Sequence, residues 1–163
     1  MSTAVARVVT VCTLVIAVGC ASPETVEPRI KYLNDLTLDQ AITWFEERTL
    51  ECLGPGEPIS DPREWRCTHN FDDGSFVEVR ITADRSGVSH IVGVANGFGV
   101  EPAASFLGTT VAGLAVPTNR REELTLWAHN HGASGGTRVV GSVSIELQRH
   151  SEHQAVYVAP AGS

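Results

Sequence analysis

The chain has 163 residues, with 12 Lys and Arg against 19 Asp and Glu and a formal net charge of −7. That balance excludes nucleic acid as a partner, because a phosphate polyanion needs a cationic stripe and the few arginines here are scattered among more numerous acids. It also excludes adhesion to anionic lipid headgroups by charge, so membrane attachment would have to come from acyl chains.

Residues 1–19 carry a single charge, Arg7, ahead of an uninterrupted apolar and small-residue run from Val8 to Gly19. A short positive start, an apolar middle and small residues before a cleavage point make an export signal, too short to span a bilayer as a permanent helix. Its end, Ala17-Val18-Gly19-Cys20, resembles the lipobox of bacterial prolipoproteins, although Ala17 stands where leucine is commonest in that family. The resemblance covers residues 1–20 only. It implies that Cys20 is lipidated and becomes the mature N-terminus, which puts the rest of the chain on the extracytoplasmic side of a cell membrane or outer membrane. An ordinary secretory signal cleaved after Ala17, leaving Cys20 free or paired, or after Ala21, and an uncleaved anchor are the other readings. Cleavage before Cys20 removes Arg7 alone among the charged residues, so the net charge moves from −7 to −8.

Of the four cysteines, Cys12 falls in the signal and Cys20 is assigned to lipid. Cys52 and Cys67 remain, and in an oxidising compartment they are expected to form a disulfide closing a loop of roughly 15 residues, contributing about 3 kcal/mol in the loop-entropy account. Residues 20–35 hold two prolines and alternating charges without an apolar period, the composition of a tether. The remainder, 36–163, is the size of a single domain.

Thr37 and Gln40 form a capping-box signature, and Leu38, Ala41, Ile42, Phe45 and Thr49 recur at helical spacing, predicting a helix over 38–51. The segment 53–63, with Pro55, Pro58 and Pro62, reads as a loop. Strands are expected at 64–70, 75–82 and 88–95, joined by turns at Asp72-Asp73-Gly74 and Asp84-Arg85-Ser86-Gly87, which makes an antiparallel meander. A helix starting near Pro102 and ending before Pro117 follows, then another from Asn119, capped with Glu122 and stopped at Gly132. The loop 132–136 leads to one long strand over 137–148 and a short last strand over 154–159. The order α-βββ-αα-ββ predicts an α+β fold, with about five antiparallel strands and helices on one face.

Candidate chemistry is thin. Gly132-Ala133-Ser134-Gly135-Gly136 matches the G-x-S-x-G string of the nucleophile elbow, but that motif needs a strand before the serine and a helix after it, the reverse of this context. His129 and His131 stand two apart at a helix end, and His150 and His153 stand in the last hairpin turn. A metal site would form only if the hairpin folded back beside the 132–136 loop and brought those imidazoles together. The pairs Glu46-Glu47, Asp72-Asp73 and Glu122-Glu123 are adjacent residues whose side chains diverge, unlike a glycosidase pair. Asn96-Gly97-Phe98-Gly99 lacks the G-x-G-x-x-G spacing of a phosphate-binding turn. Trp44, Trp65 and Trp127 are expected as core or core-edge anchors.

With no catalytic set and no cofactor implied, the sequence reads as a membrane-anchored envelope lipoprotein whose domain binds or supports another envelope component, such as a protein. The alternatives are a metal-binding protein or hydrolase using His129, His131, His150 or His153, and a small-ligand-binding lipoprotein with a pocket between helices and sheet.

Overall fold

A computed structural model of the protein describes residues 32–163. The signal, Cys20 and most of the expected tether lie outside the described residues. Packing reaches back ahead of Leu36: Leu33 is fully buried and donates its N–H to the Val88 carbonyl at 2.8 Å, and the Tyr32 hydroxyl donates to Asp84 at 2.7 Å.

The first helix, α1 (Leu38–Glu46), starts with the capping box that the sequence announces. Thr37 Oγ1 accepts from the Gln40 N–H, and Gln40 Oε1 accepts from the Thr37 N–H, satisfying two of the orphan donors of the first turn. Leu38, Ala41 and Phe45 turn one apolar stripe into the core. The helix stops five residues short of the predicted end. Leu50 N–H returns to the Phe45 carbonyl and Thr49 N–H to that of Glu46, the paired bonds of a Schellman closure. That closure needs a left-handed residue, and Thr49 supplies it at φ +67, where a β-branched side chain is strained. Thr49→Gly should therefore stabilise the protein by about 0.5–1 kcal/mol, after allowing for the extra freedom glycine gives the unfolded chain. Denaturant midpoints measure this, and a lower midpoint for the variant would show that the threonine side chain contributes more than its backbone strain costs.

Among the described residues the sheet is antiparallel throughout and has seven strands, not about five: β1 (Glu51–Leu53), β2 (Arg63–Asn70), β3 (Phe76–Asp84), β4 (Gly87–Asn96), β5 (Gly136–Val140), β6 (Val143–Arg149) and β7 (His153–Pro160), in spatial order β1-β2-β3-β4-β7-β6-β5. The two extra strands have distinct causes. β1 occupies residues assigned from periodicity to the end of α1 and to the loop after it. The expected strand over 137–148 is a hairpin instead: Val140 pairs with Val143 across a two-residue turn in which Gly141 takes φ +62, a conformation hairpin turns demand and glycine accepts freely. Along β3, Val77, Val79, Ile81 and Ala83 point into the core, and Glu78, Arg80 and Thr82 face outward, the alternation of a sheet covered on one side. The outer face carries Arg66 and Arg80 flanking Glu78, beside half-buried Val92 and Val94 and the exposed Tyr157.

On the inner face, α1 is joined by α2 (Val100–Phe106) and α3 (Arg121–His131). The helix predicted to run on toward Pro117 loosens after Phe106 into a π-helical turn over Leu107–Val111 and a 3-10 turn over Ala112–Leu114. Gly108 lies where this segment meets α3, and a Cβ there would sit 2.4 Å from that of Ala128. A 3-10 turn, Thr118–Arg120, precedes α3, and no side chain caps that helix, so the expected Asn119–Glu122 box does not form. Trp44 ties α1 to this layer by donating its indole N–H to the Thr110 carbonyl at 2.8 Å.

Candidate functional site

Where α1 ends, β2 leaves the sheet and α2 begins, the two layers separate around a cleft of about 410 Å³. The site is built from the ends of elements. Leu50 comes from the α1 closure, His69 and Phe71 from the end of β2, and Val77 from the start of β3. Phe98 comes from the β4–α2 turn, and Pro102 and Phe106 from α2. An apolar body is what such walls bury well, and the volume falls within the roughly 300–1,000 Å³ of small-molecule sites.

Local chemistry aims the aromatic walls. Phe71 stands just before the Asp72-Asp73-Gly74 turn, where Asp73 accepts from the Ser75 hydroxyl at 2.6 Å and the Ser75 N–H at 2.9 Å. Those two bonds, the hydroxyl's first, hold the Asp73 carboxyl below its ordinary range and fix the turn. Phe98 lies between two glycines. A Cβ on Gly97 would come within 2.8 Å of Ser75 Cβ, so glycine lets the two turns meet and brings Phe98 edge-on to Phe71 at 5.2 Å. His69 in turn meets Phe71 at 4.4 Å. These edge-to-face contacts match the quadrupole preference of aromatic rings. His69 Nδ1 lies 2.8 Å from the Thr49 carbonyl; because a carbonyl only accepts, Nδ1 carries the proton and ties β2 to the α1 closure.

Arg48 forms the polar rim. Its guanidinium lies over the Trp44 ring, 3.3 Å from the centroid, and donates to the Trp44 carbonyl at 2.8 Å. Arg121 lies over the same indole at 4.7 Å, so two cations share one ring, an arrangement favoured by the ring quadrupole.

Cys52 and Cys67 are bonded, joining β1 to β2 at directly paired positions. The bond sits two residues after Leu50 and two before His69, so it ties together the two walls of the cleft. The histidines singled out in the sequence are placed differently. Arg149 and Gln154 donate to the carbonyls of Ala133 and Gly132, so the last hairpin does fold back beside that loop. The imidazoles nevertheless pair off separately. His129 Nδ1 lies 3.4 Å from the Ser105 hydroxyl, His131 stacks on Trp127, and His150 stacks on His153 with centroids 4.4 Å apart. Among the described residues no three His, Cys, Asp or Glu side chains form a group that could hold a metal ion. Ser134 lies in a loop between α3 and β5, and its hydroxyl donates to the neighbouring Gly135 carbonyl, which is no elbow. Trp65 is buried and Trp127 sits at the core edge, whereas Trp44 also serves the arginine bracket.

The cleft residues are not among those that the sequence pattern singles out. A usable signal was present: phenylalanines beside turn residues, Phe71 before Asp-Asp-Gly and Phe98 between glycines, stand where the chain reverses and a large ring finds only partial cover. Comparison of the chain with protein-family models, curated proteins and solved structures finds no match in any of the three.

Proposed function

We propose that this chain is an exported, lipid-anchored envelope protein whose domain binds an apolar or aromatic group in the cleft between α1, α2 and the end of the sheet. The observation that carries the binding role is the cleft itself, an opening of about 410 Å³ walled by Phe71, Phe98 and Phe106. The address rests on the lipobox-like residues 17–20, and the Cys52–Cys67 bond is at home in the oxidising compartment that such an address implies.

Both halves have direct tests. Mass spectrometry of the N-terminus of the protein isolated from cells should find a diacylglyceryl group on Cys20; an unmodified chain cleaved after Ala17 or Ala21 would overturn the anchor. For the cleft, calorimetric titration with a neutral probe, 4-phenylbutan-1-ol, should show saturable binding. Phe71→Ala should weaken it about fivefold or more, the scale of one lost aromatic contact. Phe71 is 39% exposed, so its truncation leaves the core intact, and affinity unchanged in that variant would place the probe elsewhere.

A further inference from the structure

The walls of the cleft contain titratable groups of only one kind. Arg48 and His69 line it, and among the described residues no Asp or Glu does, in a chain where acids outnumber bases 19 to 12. The Arg48 guanidinium is held in place before any ligand arrives, by its stack on Trp44 and its bond to the Trp44 carbonyl. Its nearest carboxylate is Glu47, 3.8 Å away and 67% exposed, where solvent screens most of the attraction. Arg121, outside the cleft lining, lies over the same indole. Its buried Nε has no hydrogen-bond partner, and it makes no ion pair among the described residues. Two guanidiniums on one ring, with one weak carboxylate contact between them, leave a local excess of positive charge at the rim of an apolar cavity.

We propose that the cleft selects a small monocarboxylate with an aromatic or aliphatic body, its carboxylate meeting Arg48 and its body lying among Phe71, Phe98 and Phe106. The inference rests on the cleft being a binding site and adds the charge and class of its ligand. A planar guanidinium fork matches a carboxylate in two parallel hydrogen bonds. An amine at the same position would meet like charge, and a neutral hydroxyl would gain only an ordinary bond. The preference thus comes from the rim, and the affinity common to all three from the walls.

The test is a matched series on the protein as the cell matures it, held in lipid nanodiscs with empty nanodiscs as the blank: 4-phenylbutyrate, 4-phenylbutan-1-ol and 4-phenylbutylamine, titrated by calorimetry. The carboxylate should bind about tenfold or more tighter than the alcohol, the scale of a charge-assisted hydrogen bond, and the amine weakest. Arg48→Gln should bring the carboxylate down to the affinity of the alcohol in the same variant, and Arg48→Lys should keep part of the preference. Equal affinity for the three ligands, or a carboxylate weaker than the alcohol, overturns the inference and leaves the binding site standing. Failure of all three to bind overturns the site and the inference together. Because the series is read on the unaltered protein, a destabilised Arg48 variant does not obscure the result.

Discussion

Phe45→Ala should be the most damaging single truncation in α1, lowering stability by about 3–5 kcal/mol and the thermal midpoint by roughly 10 °C or more. Phe45 is fully buried and among the largest of the core side chains. With Leu38 and Ala41 it forms the stripe by which a nine-residue helix holds to the sheet, and a helix that short has little stability of its own. Removing the ring leaves a cavity that Leu38 and Ala41 are too short to fill. Phe45→Leu, which keeps most of the volume, should recover much of the loss. Calorimetric midpoints of the two variants decide the matter; an alanine variant within a couple of degrees of the parent would mean that α1 is not anchored by this residue.

Loss of the disulfide should cost nearly as much. Cys52 and Cys67 are 15 residues apart, and closing a loop of that length contributes about 3 kcal/mol, with 2–5 kcal/mol typical for small exported domains. The double variant Cys52→Ala/Cys67→Ala is the clean comparison, since it leaves no free thiol to form mixed disulfides. Its unfolding midpoint should fall and become indifferent to reductant, whereas that of the parent should drop when reductant is added. Affinity for 4-phenylbutan-1-ol should fall as well, because the bond ties the Leu50 wall to the His69 wall. Equal midpoints for parent and variant would show that β1 pairing and the surrounding core hold those walls without it.

How far the fold could be read from sequence depended on whether a signal was local. The Thr37–Gln40 capping box and the alternation along β3 are set by residues a few positions apart, and both are found as expected. The end of α1 was misread because Thr49 continues the helical spacing of apolar positions while its backbone leaves the helix; a threonine in a left-handed position gives no compositional warning. Gly141-Ser142 is a hairpin signal that the run of alternating valines and isoleucines around it concealed, since alternation continues on both sides of a two-residue turn. Nothing local in 107–111 marks a π-helical turn, and Ala128, which Gly108 closely approaches, lies on another helix, far along the chain. The candidate site was less legible still. It draws Arg48, His69, Phe71 and Phe98 from three element ends, and only tertiary packing brings them together. The histidines stand out by residue type, yet only His150 and His153 meet, while His129 and His131 lie against Ser105 and Trp127.

The strand order has a consequence for assembly. The segments 51–96 and 136–160 are two meanders in which every pairing joins strands consecutive in the chain, so each can form by short loop closures. One seam, β4 against β7, joins them, with Ile91 opposite Val158, and it must wait for the whole helical segment between to be gathered in. Until then each meander has an unsatisfied edge, one along β4 and one along β7. This topology confines the chain's most vulnerable interval to the closing of a single seam.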